Sequence, residues 1–353
     1  MALSVVGLST VAYADSRHAT QQTLRPFSHV FYFMMENTGT DALAGNPNAP
    51  FINQLMKTYG YDDNYFGVTH VSLPNYVAAI SGNNWYSQSD DPTQVFNHTN
   101  LVDQMVARHI SWKGYMEDLP YAGFQGYWYP DNLPAGTSPS VTPPNALYAK
   151  KHDPFLLFQD VASNPALARN VVPLTELTQD LSSGRVPQFA WISPNVINDM
   201  HGQPPGPGAS VTYNDEQALI ARGDQFLKTW VTAIMHSRAW TGNAAIFITW
   251  DEAEYPGSNP TTQQLQQFTA PGPDSPAVPA GNVDGFNWPG GAYGGGNVPL
   301  LVIARQGPHP LTIHTWADHY SVLRTLEEAF GLSPLGMASD NAKVKSMQAF
   351  FTH

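Results

Sequence analysis

Continuous apolar runs alternate with amphipathic segments along most of this chain of 353 residues. The runs at 29–35 and 244–250 are typical of strands that are buried on both faces of a parallel sheet. Further strands are predicted at 110–115, 188–195 and 298–303, and helices at 51–59, 72–82, 99–109, 214–236 and 322–330, with a helical stretch starting at 148–158. This alternation of strand and helix favours a single α/β domain with a mostly parallel sheet.

The pattern at the N-terminus differs from that of the rest of the chain. Residues 2–12 are apolar, and Ala12-Tyr13-Ala14 matches the small-x-small pattern that precedes a signal cleavage site. We therefore expect a signal peptide at 1–14 and a secreted or periplasmic protein; a disordered tail is the alternative. A polar lead-in at 15–27 then precedes one domain at 28–353, with long loops near 120–148 and 256–296. No later segment is long and apolar enough to span a bilayer.

Composition and charge narrow the functions that this domain can have. The chain has 16 Lys and Arg against 28 Asp and Glu, a formal net charge of −12, and no basic run. Nucleic-acid binding is not expected, because affinity for a phosphate backbone needs clustered Lys and Arg. The absence of cysteine excludes thiolate metal sites, catalytic cysteine and disulfides. An acidic enzyme can still act on phosphate esters when a metal inverts the local field.

Ligand-type side chains follow three of the predicted strands at the point where each strand ends. They are Glu36 and Asn37, then Asn198, Asp199 and His201, then Asp251 and Glu252. The carboxyl ends of parallel strands share one edge of a sheet, so these groups are expected to converge. Carboxylates that are brought together repel one another unless a cation neutralises them, and oxygen ligands suit a divalent metal. The alternative is that polar residues end these strands only because loops are polar.

Ser72 stands where the helix at 72–82 is predicted to begin, with Pro74 in the first turn. The simpler interpretation is that Ser72 is only an N-cap. A nucleophile also gains from this position, because the helix dipole and the free N–H groups favour an oxyanion and a bound phosphate. His70, two residues earlier, and Glu117, after another predicted strand, are left open as neighbours of the same site.

Six segments support a more specific prediction. They are residues 34–37, 69–76, 151–155, 193–201, 250–252 and 319–325. In this order they resemble the bacterial and fungal phosphoesterase family, which contains acid phosphatases and phosphocholine-type phospholipases C and belongs to the alkaline-phosphatase-like superfamily. The resemblance extends from about residue 28 to residue 332. It implies a three-layer α/β/α sandwich around a mostly parallel central sheet.

The resemblance also implies which residues form the site. The divalent metal, of unknown identity, would be held by Glu36, Asn37, Ser72, Asp251 and Glu252. The catalytic residues would be Ser72, His152, His201 and His319, and phosphate would be bound by Asn37, His152, Asp199 and His201. Ser72 would form a covalent phosphoserine, and a histidine that is protonated in mild acid would hold the ester oxygens and protonate the leaving group.

The predicted function is hydrolysis of phosphate monoesters, of the acid-phosphatase type. A phospholipase C or other phosphodiesterase is the alternative, with aromatic loops at 121–130 and 285–293 around a phospholipid head group. A non-catalytic surface binding protein on the same scaffold is a remote alternative. Residues 253–257 depart from the Gly- and His-rich stretch that often follows the Asp-Glu pair in relatives, which leaves the leaving-group pocket and the substrate open.

Overall fold

The computed structural model describes residues 24–352 except 258, 259 and 284 and the side chain of Phe286. The predicted signal peptide at 1–14 and most of the lead-in at 15–27 lie outside the described residues. The α-helices are α1 Thr40–Leu43, α2 Pro50–Thr58, α3 Ser72–Ser81, α4 Leu101–Ala107, α5 Gln159–Ala162, α6 Pro165–Ala168, α7 Thr175–Ser183, α8 Glu216–Met235, α9 Thr262–Phe268 and α10 His319–Phe330. In the described part of the chain, no helix is both long and apolar enough to cross a membrane.

The strands are short, and many have only two or three residues. They are β1 Val30–Met35, β2 Gly60–Asp62, β3 Tyr65–Phe66, β4 Trp112–Met116, β5 Trp128–Tyr129, β6 Tyr148–Ala149, β7 Val171–Pro173, β8 Phe189–Ser193, β9 Ala245–Trp250, β10 Ala277–Val278, β11 Gly281–Val283, β12 Phe286–Trp288, β13 Gly291–Ala292, β14 Leu300–Ala304, β15 Leu311–Ile313 and β16 Ala317–Asp318. Turns of 3-10 helix lie at Lys150–His152, Phe155–Leu157, Gly336–Ser339 and Gln348–Phe350.

Eight of the described strands form one central sheet, in the order β15-β2-β14-β9-β1-β8-β4-β7. From β9 to β7 every neighbouring pair is parallel, whereas β14 is antiparallel to both β9 and β2. The prediction of a mostly parallel sheet is thus confirmed. All six residues of β1 are fully buried, as expected for a central strand that is covered on both faces.

Helices cover both faces of the sheet, and β1 shows this directly. Successive side chains of a strand point to opposite faces. The ring of Phe33 lies 6.4 Å from that of Phe226 in α8. The ring of Tyr32 lies 4.7 Å from Trp191, whose ring is 6.0 Å from Tyr76 in α3. Since α3 packs with α10, and α8 with α2, the fold is the expected α/β/α sandwich.

Gly60 has a different role from the one that its position predicts. A glycine after an amphipathic segment indicates a helix C-cap, but α2 ends at Thr58 with Tyr59 as its C-cap, and Gly60 is the first residue of β2. A Cβ atom at this position would lie 2.5 Å from the ring of Phe350 and 2.8 Å from the carbonyl oxygen of Val302. Close approach of two chain segments, rather than a left-handed turn, therefore requires glycine here.

Two long segments predicted as loops differ in how much regular structure they contain. The segment at 256–296 leaves the sheet after β9 and returns at β14, which is its neighbour in the sheet. It contains α9 and the short pairs β10–β13 and β11–β12, which its polar composition does not predict. A capping box between Thr261 and Gln264 starts α9. The segment at 120–148 is irregular apart from β5, and the helical stretch predicted from 148 consists of 3-10 turns before α5.

Replacing Glu327 by Gln should stabilise the fold in alkaline solution. Glu327 is fully buried in α10, and burial raises the pKa of its carboxyl to about 8. The side chain is therefore protonated in the folded state over a range where the unfolded chain ionises it, so its contribution to stability is lost as pH rises towards 8. In urea unfolding at about pH 9, Glu327→Gln should add on the order of 1–3 kcal/mol, and at about pH 4 it should add nothing. An equal gain at both pH values would contradict this explanation.

Candidate active site

The ends of β1 and β9 bring two of the predicted pairs together. In this parallel pair Met35 lies opposite Trp250, so the residues that follow are also neighbours. The Asp251 N–H donates to the Met35 carbonyl at 3.0 Å, and the Asn37 N–H donates to Asp251 Oδ1 at 3.0 Å. The hydrogen bonds of the main chain therefore fix the positions of the residues that directly follow β1 and β9.

Side-chain and main-chain bonds extend this arrangement to Glu252 and to a third strand end. Asn37 Nδ2 donates to Glu252 Oε1 at 3.0 Å. The Glu36 N–H donates to the carbonyl of Asp199, which follows β8, at 2.8 Å. The convergence predicted from the sequence thus occurs at the carboxyl ends of β1, β8 and β9.

Ser72 does not cap its helix. The N-cap of α3 is Val71, without a side-chain cap bond, and Ser72 is the first helical residue. Its buried hydroxyl donates to Glu36 Oε2 at 2.8 Å and lies 3.4 Å from both Asn37 Oδ1 and Glu252 Oε1. The simpler interpretation of Ser72 as an N-cap is therefore wrong, and its hydroxyl faces a ring of oxygen atoms.

Burial and mutual repulsion disfavour negative charge on the carboxyl groups around this hydroxyl. Burial raises the pKa of Glu36, and the Asp251 carboxylate raises it further. Burial and then Glu252 raise the pKa of Asp251. Glu36 Oε1 and Asp251 Oδ2 are buried and have no hydrogen-bond partner among the described residues. Unpartnered carboxylate oxygens of this kind are the donors that a hard divalent cation takes.

These residues fit a cation only as a mixed set of oxygen donors. Within the ranges that the structure describes, no group of three or more His, Asp or Glu side chains is arranged so that it could hold a metal ion. Glu36 and Asp251 each have one carboxylate oxygen without a hydrogen-bond partner among the described residues. The Glu252 carboxylate, in contrast, already contacts Asn37 and His70. A cation at this position therefore needs the amide oxygen of Asn37 and the hydroxyl of Ser72 as well.

His152 lies between two buried carboxyl groups. Its Nε2 is 3.3 Å from Glu36 Oε2 and its Nδ1 is 3.2 Å from Asp199 Oδ2, without hydrogen-bond geometry to either. The ring stacks on Tyr76 of α3, with centroids 5.4 Å apart. Burial lowers the pKa of His152, and the neighbouring Lys151 lowers it further, so the ring is neutral. His152 thus links the predicted metal centre to the predicted phosphate-binding residue Asp199.

His201 uses one ring nitrogen for a main-chain hydrogen bond and directs the other towards Lys151. Its Nδ1–H donates to the Gly202 carbonyl at 2.8 Å, and its main-chain N–H donates to Asp199 Oδ1 at 2.7 Å. These two bonds fix the ring and leave Nε2 as an unprotonated acceptor, 3.5 Å from Lys151 Nζ. Burial lowers the pKa of His201 to about 4.

Both ring nitrogens of His319, the first residue of α10, are engaged. Nε2–H donates to the main-chain carbonyl of Asp251 at 2.7 Å, and Nδ1 accepts from the Tyr65 hydroxyl at 2.9 Å. Burial lowers the pKa of His319 to about 4, which keeps the ring neutral for these two bonds. His319 is thus adjacent to the site and contacts it through the backbone of Asp251.

The structure adds to this site one residue that the sequence left open, His70, and two that it did not indicate as site residues, Lys151 and Asp90. His70 contacts the Glu252 carboxylate through Nδ1 and donates from Nε2 to the Phe268 carbonyl at 2.8 Å, so it joins the site to α9. The buried Lys151 forms an ion pair with the half-buried Asp90 beside α3, and neither is predicted as a site residue. Only the resemblance at 151–155 pointed to the first of these two. Glu117 instead binds the Asn195 N–H at 2.9 Å and supports the loop after β8.

Comparison with known proteins gives both a family and a fold. A model of the Phosphoesterase family matches residues 46–333. The described fold resembles a protein in the alkaline phosphatase superfamily from Vibrio parahaemolyticus, with a TM-score of 0.50 and 12% identity over 92% of this chain and 74% of that one. It also resembles the C-terminal periplasmic domain of phosphoethanolamine transferase EptC from Campylobacter jejuni, with a TM-score of 0.51 and 9% identity over 93% and 98%. At these identities the two structures support the fold alone.

Three characterised relatives cover most of this chain but differ in length. The phosphate-repressible acid phosphatase of Penicillium chrysogenum is 26% identical over 96% of this chain and 70% of its own length. The phosphatidylinositol-3-phosphatase of Mycobacterium tuberculosis is 26% identical over 96% of this chain and 91% of its own length. Phospholipase C B of the same species is 25% identical over 79% of this chain, which matches 50% of that protein.

Proposed function

This chain belongs to the phosphoesterase family, and on that premise we propose that it hydrolyses phosphate monoesters in the manner of an acid phosphatase. That it is a phosphate ester hydrolase follows from the family and its relatives. The observation that supports the mechanism best is the Ser72 hydroxyl, which points away from its helix and into a ring of Glu36, Asn37 and Glu252 oxygens. A hydroxyl that serves only the fold does not need such surroundings.

The proposed cofactor is one divalent metal ion. Glu36, Asn37, Ser72 and Asp251 would hold it, with Glu252 as the further ligand. Once bound, such an ion lowers the pKa of a hydroxyl and stabilises charge on phosphoryl oxygens. Glu36 Oε2 is the group nearest to the Ser72 hydroxyl and accepts its hydrogen bond in the structure.

Hydrolysis would proceed in two displacements at phosphorus. In the first, Ser72 Oγ forms a bond to phosphorus while the bond to the alcohol oxygen breaks, and the alcohol takes up a proton as it leaves. In the second, water attacks the phosphoserine, Ser72 regains its proton, and inorganic phosphate is released. The N-terminus of α3 favours the negative charge that is present in both steps. A phosphoserine at Ser72 in acid-quenched protein, detected by mass spectrometry of its peptide, is the expected intermediate.

We assign the three histidines different tasks within this mechanism. His201 would take up a proton on Nε2 when the phosphate dianion binds beside it and would then donate that proton to the leaving-group oxygen. His152 would hold Glu36 and Asp199 at a fixed separation, and His319 would fix the backbone of Asp251. Direct catalytic roles for His152 and His319 therefore stay predictions from the family resemblance. Replacing His201 by Gln should lower kcat more than KM, measured with p-nitrophenyl phosphate, because the substrate would still bind but lose its proton donor.

A phospholipase C activity is the second candidate, because one aromatic segment lies beside the site. Tyr293 makes an edge contact with the His70 ring at 5.8 Å and with Trp288 at 5.0 Å. The rates on p-nitrophenyl phosphate and p-nitrophenylphosphorylcholine distinguish the two candidates. We expect kcat/KM to be higher for the monoester; a preference for the choline ester would replace the first proposal by the second.

We also propose that the protein is exported, on the basis of the apolar stretch at 2–12 and the Ala12-Tyr13-Ala14 pattern. Expression of the full sequence in a bacterial host and fractionation of its cells tests this proposal. The expected product is in the periplasm or medium and begins close to Asp15. Uncleaved protein in the cytoplasm would contradict it.

A further inference from the structure

Lys151 is a buried cation in an otherwise acidic site. It lies in the 3-10 turn Lys150–His152 and is 5% exposed. Its Nζ donates to Asp90 Oδ2 at 2.7 Å and lies 3.5 Å from His201 Nε2. Burial acts to lower the pKa of Lys151, but Asp90 and Glu36 outweigh it and the net shift is upward. The neighbouring carboxylates therefore favour the charged form of the side chain.

The Asp90 carboxylate connects this ammonium group to the helix that carries Ser72. Asp90 Oδ1 accepts from the Leu73 N–H at 3.0 Å, and Leu73 directly follows Ser72. One carboxylate thus contacts both Lys151 and the first turn of α3, and it joins the ammonium group to the turn that carries the proposed nucleophile. Partial burial acts to raise the pKa of Asp90, but Lys151 and the Leu73 N–H outweigh it and keep the carboxyl ionised.

The ammonium group still has a donor to offer. It has three N–H donors. Asp90 takes one of them and His201 Nε2 lies near a second, and among the described residues the third has no acceptor. Lys151 also forms part of the wall of a cavity of about 280 Å³ with Ser89, Asp91, Trp128 and Ser140. The lining of this cavity includes both Asp90 and Asp91, and Lys151 is the cation that an anion in it would meet.

We propose that Lys151 binds the non-bridging oxygens of the phosphoryl group and thereby gives the site its preference for monoesters over diesters. This inference rests on the proposed function. A monoester dianion carries one more charge than a diester, and this site presents three carboxylates beside Ser72. A single divalent cation does not neutralise those carboxylates and a dianion together, so a further positive charge favours the monoester selectively. An ammonium group serves as such a point charge for phosphate.

The test compares Lys151→Met with Lys150→Met. Lys150 is the neighbouring lysine and is equally buried, but its ammonium group lies 5.4 Å over the Tyr127 ring instead of facing the site. For Lys151→Met we expect kcat/KM on p-nitrophenyl phosphate to fall about 10²–10³-fold, the effect of removing one charged donor from an oxyanion, and on bis(p-nitrophenyl) phosphate less than about 10-fold. Lys150→Met should leave the ratio of the two rates unchanged. Equal losses on both substrates in Lys151→Met would overturn the proposal.

Two further measurements separate this proposal from misfolding and from failure of the proposed function. Lys151→Arg keeps the charge and should retain monoester activity within about tenfold of the parent. The second measurement is the affinity for inorganic phosphate, determined by calorimetric titration of the Ser72→Ala variant and of the double variant Ser72→Ala, Lys151→Met. Both proteins lack Ser72, so the measurement does not depend on catalysis. Weaker binding in the double variant, by about tenfold or more, supports Lys151 as the phosphate ligand whatever the role of Ser72. Equal affinity in two folded proteins rejects it.

Discussion

The Ser72→Ala protein should fold normally, but its kcat on p-nitrophenyl phosphate should be at least about 10⁴-fold lower than that of the parent protein. The reason is that the proposed first displacement uses the hydroxyl that lies among the oxygens of Glu36, Asn37 and Glu252, and that hydroxyl is Ser72 Oγ. The cost to the fold is small, because Val71 is the N-cap of α3 and the Ser72 side chain makes no cap bond. Steady-state kinetics and circular dichroism on the same sample measure both effects.

Ser81→Ala is the matched control, at the other end of the same helix. Ser81 is also buried, and its hydroxyl donates to the Val77 carbonyl at 2.8 Å and accepts from the Trp85 indole at 3.0 Å. Loss of these bonds should cost about 1 kcal/mol of stability and leave kcat unchanged. Parent-like turnover by Ser72→Ala, with no phosphoserine in either protein, would reject covalent catalysis by this residue.

Removal of the proposed metal ion should reduce turnover about a hundredfold or more, because a divalent cation supplies several kcal/mol of charge stabilisation in such a site. It should also lower the thermal midpoint of unfolding, since a ligand that binds only the folded state stabilises that state. The structural reason is the repulsion among Glu36, Asp251 and Glu252, whose carboxyl groups lie together at the ends of β1 and β9. Dialysis against a chelator, followed by elemental analysis and assay, measures the loss. Addition of single divalent metals identifies the one that restores activity.

Asp251→Asn tests the proposed metal site without a chelator. The purified variant should contain less divalent metal than the parent protein. Asp63→Asn is its control, because Asp63 also follows a strand of the sheet, β2, but pairs with His314 at the surface, 2.6 Å away. We expect Asp63→Asn to keep the metal content and activity of the parent. Full activity in a protein that elemental analysis finds free of divalent metal would exclude the proposed cofactor.

The central strands and their polar ends could be predicted because each is a local pattern. A continuous apolar run followed by Glu36 or Asp251 specifies both a buried strand and the edge where it ends. The strand β2, second from the edge of the sheet, has three residues and depends on pairing with β14 and β15, so no local period marks it. The antiparallel direction of β14 is likewise set by the path of the chain through 256–296 and not by its own residues.

Part of the site depends on contacts that no local pattern describes. Asp90 lies in a polar loop where its side chain looks like any solvated carboxylate, and only the fold brings it to Lys151 and the Leu73 N–H. His70 was open to either interpretation from its position near Ser72, and its partners Glu252 and Phe268 lie about two hundred residues further along the chain. The position of Ser72 was predicted correctly and its hydrogen bonding was not, because capping and catalysis place a serine at almost the same residue.

The parallel pairing of β1 with β9 also bears on how such a site changes during evolution. Glu36 and Asp251 owe their positions to backbone hydrogen bonds that any residue except proline can make on the donor side. Their side chains can therefore be replaced while the main-chain pairing of the two strands is kept. A descendant can exchange carboxylate for amide or imidazole, and with it the preferred ion, without rebuilding the scaffold.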